Sequence, residues 1–266
     1  MILPKNLLTF FSDYINVTGL PHLDPEKSGD PMLIGKRLGL VNGSSWITAW
    51  SNYFGRLYLP GVQLVNAGND AIQLNFMKAH ADGLPSPPQS NIDRFVQYAK
   101  DLVELAKVDA ILITCSTMNR SYPEVEKAIE PYQIPVIQID MPMMEKAVNL
   151  GNRALVIATH GPTVSSTHAL IAETAEKMGK SISCEGMTLE KAWDCLKEGN
   201  IQGHNNVIAE AIRSRYKEKF SCVVLAQLSM SVFQISYPYS SSEFGLPVLT
   251  SGQCGFEFVR HVLLKK

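Results

Sequence analysis

The sequence predicts an α/β protein made of two pseudo-symmetric lobes, each a parallel sheet flanked by helices, with a ligand cleft between the lobes. From about residue 36, short β-branched runs alternate with longer stretches of helical spacing, the order expected of parallel strands covered on both faces. A repeat supports the division into two. A shift of 112 lays Thr114-Cys115-Ser116-Thr117-Met118 on Ala226-Gln227-Leu228-Ser229-Met230, and 19 positions on, "IPVI" follows one copy and "LPVL" the other. A second pairing, at a shift of 116, sets Arg37 of "KRLGLVNGSS" over Arg153 of "NRALVIATHG".

Taken in order, residues 1–35 read as an N-terminal extension, with a short helix over 5–16 and a Pro-, Asp- and Gly-rich surface connection in "TGLPHLDPEKSGDPM". Regular structure is expected from Lys36. The first lobe spans 36–140, with strands "RLGLVN", "GVQLVNA", "DAILIT" and "IPVIQI". Its clearest helix is "NIDRFVQYAKDLVELAKV", where Ile92, Phe95, Val96, Tyr98, Ala99, Leu102, Val103 and Leu105 form an apolar side and Ser90 or Asn91 stands at the cap. The second lobe spans 141–250, with strands "RALVIAT", "CVVLAQ" and "LPVLT", and 251–266 read as a C-terminal helix packing back on the first lobe. "ADGLPSPPQSN" and "SYPYSSSEFG" read as loops over a cleft, with Tyr237 and Tyr239 facing it.

Composition removes several functional classes. The 24 basic and 25 acidic residues are interspersed and leave a formal charge of -1, so no basic stripe exists to meet a nucleic-acid backbone. No uncharged apolar run approaches the roughly 18 residues of a membrane span. The start, "MILPKNLLTFFSDYI", lacks a signal-peptide cleavage pattern, and five cysteines without a CxxC pair or zinc-like spacing to the six histidines argue for thiols in a reducing cytoplasm and no structural metal. A flavodoxin-like nucleotide binder is disfavoured because no GxGxxG or GxxxxGK stretch occurs.

Ligands of open parallel sheets sit beyond the carboxyl ends of strands, which brings forward Asn42, Cys115, Thr159 and Gln227. Cys222, inside its strand, reads as an inert core thiol. Cys115 differs, because it ends its run and is followed at once by Ser116, Thr117 and Asn119, a setting of hydroxyls and unpaired N–H groups that suits a thiolate.

The ordered set "DAILITCSTMNR", "IPVIQI", "RALVIATHGPTVSSTHALIAETAEKMG", "VVLAQLSM" and "LPVLTSGQCGFEFV" resembles the aspartate/glutamate/hydantoin racemase superfamily over nearly all the chain from residue 36. The resemblance implies cofactor-independent proton transfer at the carbon α to the carboxylate of a small acid or amino acid. It implies a cysteine from each lobe on opposite faces of the substrate, and a homodimer. It maps the first cysteine to Cys115, carboxylate contacts to Ser116, Thr117 and Thr163, and a polar first-strand residue to Asn42.

The second cysteine position is occupied by Gln227, whose amide carries no exchangeable charge at neutral pH. Three outcomes stay open at this point: racemisation with another second acid, a one-cysteine decarboxylase or isomerase with Gln227 orienting the substrate, or a small-carboxylate binding protein without turnover. His160 of "ATHGP" and Cys254 of "SGQC" are the substitutes for the missing cysteine, and both read more simply, as a solvated loop histidine and a helix-start packing residue.

Overall fold

The computed structural model describes residues 6–19 and 29–265. Two compact units divide the chain, one running to Gln138 and taking in Phe256 onward, the other Ile139–Gly255. The first unit carries strands β1 (Arg37–Asn42), β2 (Gln63–Gly68), β3 (Ala110–Ile113) and β4 (Val136–Gln138), with helices α1 (Leu7–Thr18), α2 (Thr48–Tyr58), α3 (Asp70–Ala81), α4 (Gln89–Glu104) and α5 (Tyr122–Ile129). The second carries β5 (Arg153–Ala158), β6 (Ser183–Thr188), β7 (Cys222–Leu225) and β8 (Val248–Thr250), with α6 (Met141–Leu150), α7 (Gly161–Lys177), α8 (Glu190–Lys197), α9 (Ile201–Ser214), α10 (Phe233–Ser236) and α11 (Ser240–Phe244). Helix α12 (Ser251–Leu264) starts in the second unit and ends in the first.

Each unit holds one four-stranded sheet, ordered β2-β1-β3-β4 and β6-β5-β7-β8, and every pairing is parallel. The central strands are apolar because both of their faces are covered. In β1 only Arg37 is exposed, and all of β3 and β7 is buried. The two sequence shifts map β3 onto β7, β4 onto β8 and β1 onto β5, so the repeat is a repeat of topology.

Packing explains the helix that was most legible. Ile92, Phe95, Ala99, Leu102 and Val103 of α4 recur at helical spacing and are buried in the core with Val41, Ile111 and Ile113. Gly39 of β1 lies under Leu102, where an added Cβ would stand 3.0 Å from Leu102 Cδ1. Two expectations for this helix fail. Leu105 is 81% exposed, because the helix ends at Glu104 and Leu105 is its cap. The start is at Pro88, whose extended backbone opens the helix without a side-chain cap, while Asn91 is buried and donates from Nδ2 to the Ile72 carbonyl at 2.9 Å.

Three other segments differ from expectation. Strand β6, "SCEGMT", was not foreseen, since it is a half-buried edge strand with no apolar run. Ser236–Gly245 holds the helical turn α11, and the Tyr237 ring stacks 4.7 Å from Phe233 and 5.4 Å from Phe244, so Tyr237 is packed inside its own unit. Ordered packing starts before Lys36, because Leu33 is fully buried and Asp30 pairs with Arg260. Helix α1 begins at Leu7, adjoins α2 and buries none of its residues. Most of the expected connection after it, residues 20–28, lies outside the described residues. Among the described residues no helix is long and apolar enough to cross a membrane.

Gly255 of α12 leaves space for the chain at Ile139, where a Cβ would stand 2.6 Å from Ile139 Cγ1 and 2.8 Å from its carbonyl oxygen. Backbone cannot swing aside as a side-chain tip can. Gly255→Ala is therefore expected to destabilise by about 2 kcal/mol, as overpacking does, whereas Leu105→Ser should fall within about 0.5 kcal/mol of the parent; urea denaturation midpoints check both.

Candidate active site

The carboxyl ends of β1 and β3 are joined by a buried amide. Asn42, 1% exposed, accepts at Oδ1 from the hydroxyls of Ser51 at 2.8 Å and Thr114 at 2.6 Å, and donates from Nδ2 to Asn66 Oδ1 at 2.9 Å. Asn66 in turn donates to Asn52 on α2 at 3.2 Å. Asn42 was expected to deliver a polar group to a ligand; its oxygen is already occupied by two hydroxyls. It ties β1, β2, α2 and the residue before Cys115 together.

Cys115 is half-buried at the end of β3, with extended backbone, and its carbonyl accepts from Met118 N at 3.0 Å to open a 3-10 turn over Ser116–Ser121. Its sulfur lies 3.2 Å from the Thr117 hydroxyl. The sulfur also lies over Gly43, where a Cβ would come within 2.4 Å of Sγ, so only glycine leaves the thiol its present place. The Ser116 hydroxyl is buried with no hydrogen-bond partner among the described residues, an arrangement that costs free energy unless something is bound there. Cys115, Ser116 and Thr117 thus come together as expected, and Gly43 and Thr114 join them unforeseen. Gly43 was readable in principle, as the glycine directly after β1.

The second unit repeats the backbone with different chemistry. Gln227 is extended, and its carbonyl accepts from Met230 N at 3.0 Å to open the 3-10 turn Leu228–Val232. Its side-chain oxygen accepts from the Thr159 backbone N–H and from the Thr159 hydroxyl, both at 2.8 Å. Thr163, in the first turn of α7, is 4% exposed, and its backbone N–H donates to the His160 carbonyl at 3.2 Å. That turn starts α7 without a side-chain cap, leaving its first N–H groups to other acceptors. Thr159 and Gln227 are therefore brought together, Thr159 as a donor to Gln227.

His160 is half-buried, edge-on to the Trp193 ring at 4.5 Å. Burial, and secondarily the charge of Lys197, holds its pKa below the ordinary imidazole value. It is thus a packed histidine and not a solvated one. Cys254 is buried in the core with Met143, Val224 and Leu249. Burial pushes the Cys222 thiol up to about 12 and the Cys184 thiol to about 11, so Cys222 is the inert core thiol expected. Among the described residues no group of three or more His, Cys, Asp or Glu side chains is placed to hold a metal ion.

Two outcomes follow. Gly43→Ala sets a methyl against the sulfur, so iodoacetamide should modify Cys115 several-fold more slowly, read by peptide mass spectrometry, with little change in the urea midpoint. For His160, a folded pKa below the unfolded value means that the unfolded chain binds the extra proton, so stability is full above about pH 6.5 and falls as pH drops through it. Denaturation between pH 7.5 and 5.5 should show that loss, and His160→Gln should reduce it.

Comparison with known proteins agrees with this architecture. A family model described as Asp/Glu/Hydantoin racemase matches residues 76–259. Among solved structures, glutamate racemase from Francisella tularensis in complex with D-glutamate superposes with a TM-score of 0.60 at 16% identity, over 86% of this chain and 81% of that one. Allantoin racemase from Klebsiella pneumoniae gives 0.59 at 17%, over 86% and 88%. Unliganded arylmalonate decarboxylase gives 0.55 at 12%, over 86% and 93%. No curated protein matches the chain. With more than half of its length matched by the family model, and with both sheets sharing the architecture of these structures, the chain belongs to the Asp/Glu/hydantoin racemase family.

Proposed function

We propose that this protein is a cofactor-independent enzyme that moves a proton at the carbon next to the carboxylate of a small acid or amino acid, with Cys115 as the acid/base or nucleophile. The observation that carries the reading is the half-buried Cys115 sulfur at a strand's carboxyl end, seated over Gly43 and 3.2 Å from the Thr117 hydroxyl. As a thiolate the sulfur accepts that hydroxyl's hydrogen. Beside it the Ser116 hydroxyl has a hydrogen to donate and, among the described residues, no acceptor.

Such chemistry needs this kind of surrounding. Removing an α-proton from a carboxylic acid places a second negative charge on a group that already holds one, and without a metal or carbonyl cofactor fixed N–H and O–H donors must offset it. Ser116 and Thr117 are proposed as donors beside the sulfur, with Asn42 and Thr114 holding the segment that bears it. A thiol suits as base because its ordinary pKa near 8.5 leaves part of it ionised at neutral pH.

Gln227 favours a second reading within the same chemistry. An amide cannot deliver a proton by changing charge, so transfer at one face, as in a decarboxylase or an isomerase acting through Cys115, needs no partner acid. The neighbouring decarboxylase structure agrees with that direction at the level of fold.

Incubation with a panel of chiral α-substituted acids in deuterated water separates the readings. NMR should show α-hydrogen exchange or substrate loss in the parent, lowered at least a hundredfold in Cys115→Ala and Cys115→Ser. Chiral chromatography of the recovered acid should show deuterium gained with optical purity kept for one-face transfer, and a racemate for two-face transfer. A protein that binds acids with equal affinity with and without the sulfur, and turns none over, would be a receptor and not an enzyme.

A further inference from the structure

Helix α1 carries an apolar side of the kind that normally faces a core. Leu7, Phe10, Phe11, Tyr14 and Ile15 recur at the spacing of a single helix side, with Leu8 beside them, yet these six are between 44% and 83% exposed. The opposite side carries Thr9, Ser12, Asp13 and Asn16. Both ends of the helix are fastened. Asn6 Oδ1 accepts from Thr9 N at 3.1 Å, and Arg56 of α2 donates from Nε to the Val17 carbonyl at 2.7 Å. A helix of 12 residues is marginal by itself, because short helices draw most of their stability from packing of the apolar side. Two end contacts do not replace that packing.

Area and charge say what would cover this side. At about 150–250 Å² for a large side chain, the exposed fractions leave roughly 600 Å² of apolar surface on α1, the top of the range for the largest patch on a monomer. Two such surfaces face to face would bury about 1,200 Å², the lower bound of a stable protein interface. The adjoining α2 exposes Tyr53 and Leu57 as well. Leu7–Thr18 holds Asp13 and no lysine or arginine, whereas a helix that lies on anionic lipid carries cations along its polar side. An apolar side without charge is complementary to itself, as a two-fold contact requires.

We infer that α1 is a dimerisation helix, whose apolar side packs on the same side of a second copy of this chain. The family match begins at residue 76, so the contact is made by a part of the chain outside that match, and it does not depend on the proposed reaction.

Sedimentation velocity of the full chain from about 1 to about 100 µM tests this. The parent should become a dimer within that range. Leu8→Glu with Phe11→Glu should raise the dissociation constant at least tenfold, while Ser12→Glu, on the polar side, should leave it within twofold. Leu8→Ala with Phe11→Ala keeps the helix, since alanine is the best helix former, and should still raise the constant several-fold; an unchanged far-UV circular dichroism spectrum at monomeric dilution separates lost contact from lost structure. A parent that stays monomeric at about 100 µM, or a dimer that both double variants leave intact, would overturn the inference. A monomer that co-sediments with phosphatidylcholine–phosphatidylserine vesicles would overturn it in favour of a lipid surface.

Discussion

A parallel strand that ends inside a protein leaves backbone and side-chain polar groups beyond the last rung of its ladder, and these must be met or they cost free energy. Each unit of this chain meets that demand with a carboxamide. In the first, Asn42 gathers Ser51, Thr114 and Asn66; in the second, Gln227 takes the N–H and hydroxyl of Thr159. The difference between them decides what each strand end can do. Asn42 is bonded within its unit at both its oxygen and its nitrogen, beside the segment that carries Cys115. Gln227 is bonded at its oxygen, to two donors of a single residue.

The repeat therefore preserves backbone and exchanges chemistry. Cys115 and Gln227 are both extended residues whose carbonyls accept from the N–H three positions on, each opening a 3-10 turn. Such equivalence follows from topology, since sheets ordered β2-β1-β3-β4 and β6-β5-β7-β8 end their third and seventh strands in the same setting. Cys115 and Gln227 are themselves only half-buried, whereas Ile113 and Leu225, which close the ladders, are fully buried. Chemistry can change there while the core stays as it is.

That division also explains what was readable from the sequence. The buried central strands were legible because both faces are covered and the run is apolar, as in "RLGLVN" and "CVVL". β6 was not, because an edge strand covered on one side reads "SCEGMT" and resembles a loop. The positions of Cys115, Ser116, Thr117, Thr159 and Gln227 at strand ends followed from the repeat, but the partners of Asn42 did not. Whether a polar residue at a strand end faces a ligand or its neighbours depends on residues 24 and 72 positions away, Asn66 and Thr114, and no local pattern encodes that. Leu105 failed for a related reason: helical spacing continues in the sequence past the point where the helix stops.

Among the five cysteines, location and not residue type sets the surroundings of each sulfur. Cys222 lies wholly within the ladder, and burial pushes its pKa up to about 12, so it stays a neutral thiol at neutral pH. Cys184, on the edge strand, is pushed to about 11, and Cys254 fills the core of its unit. Each of these sulfurs is surrounded by carbon, which penalises charge without offering a donor. Cys115 is held two residues beyond the last ladder residue, Ile113, where a hydroxyl lies within 3.2 Å and a glycine removes the side chain that would otherwise cover it. Moving a cysteine two residues back along the same strand would bury it at the place of Ile113, and the same sulfur would become packing.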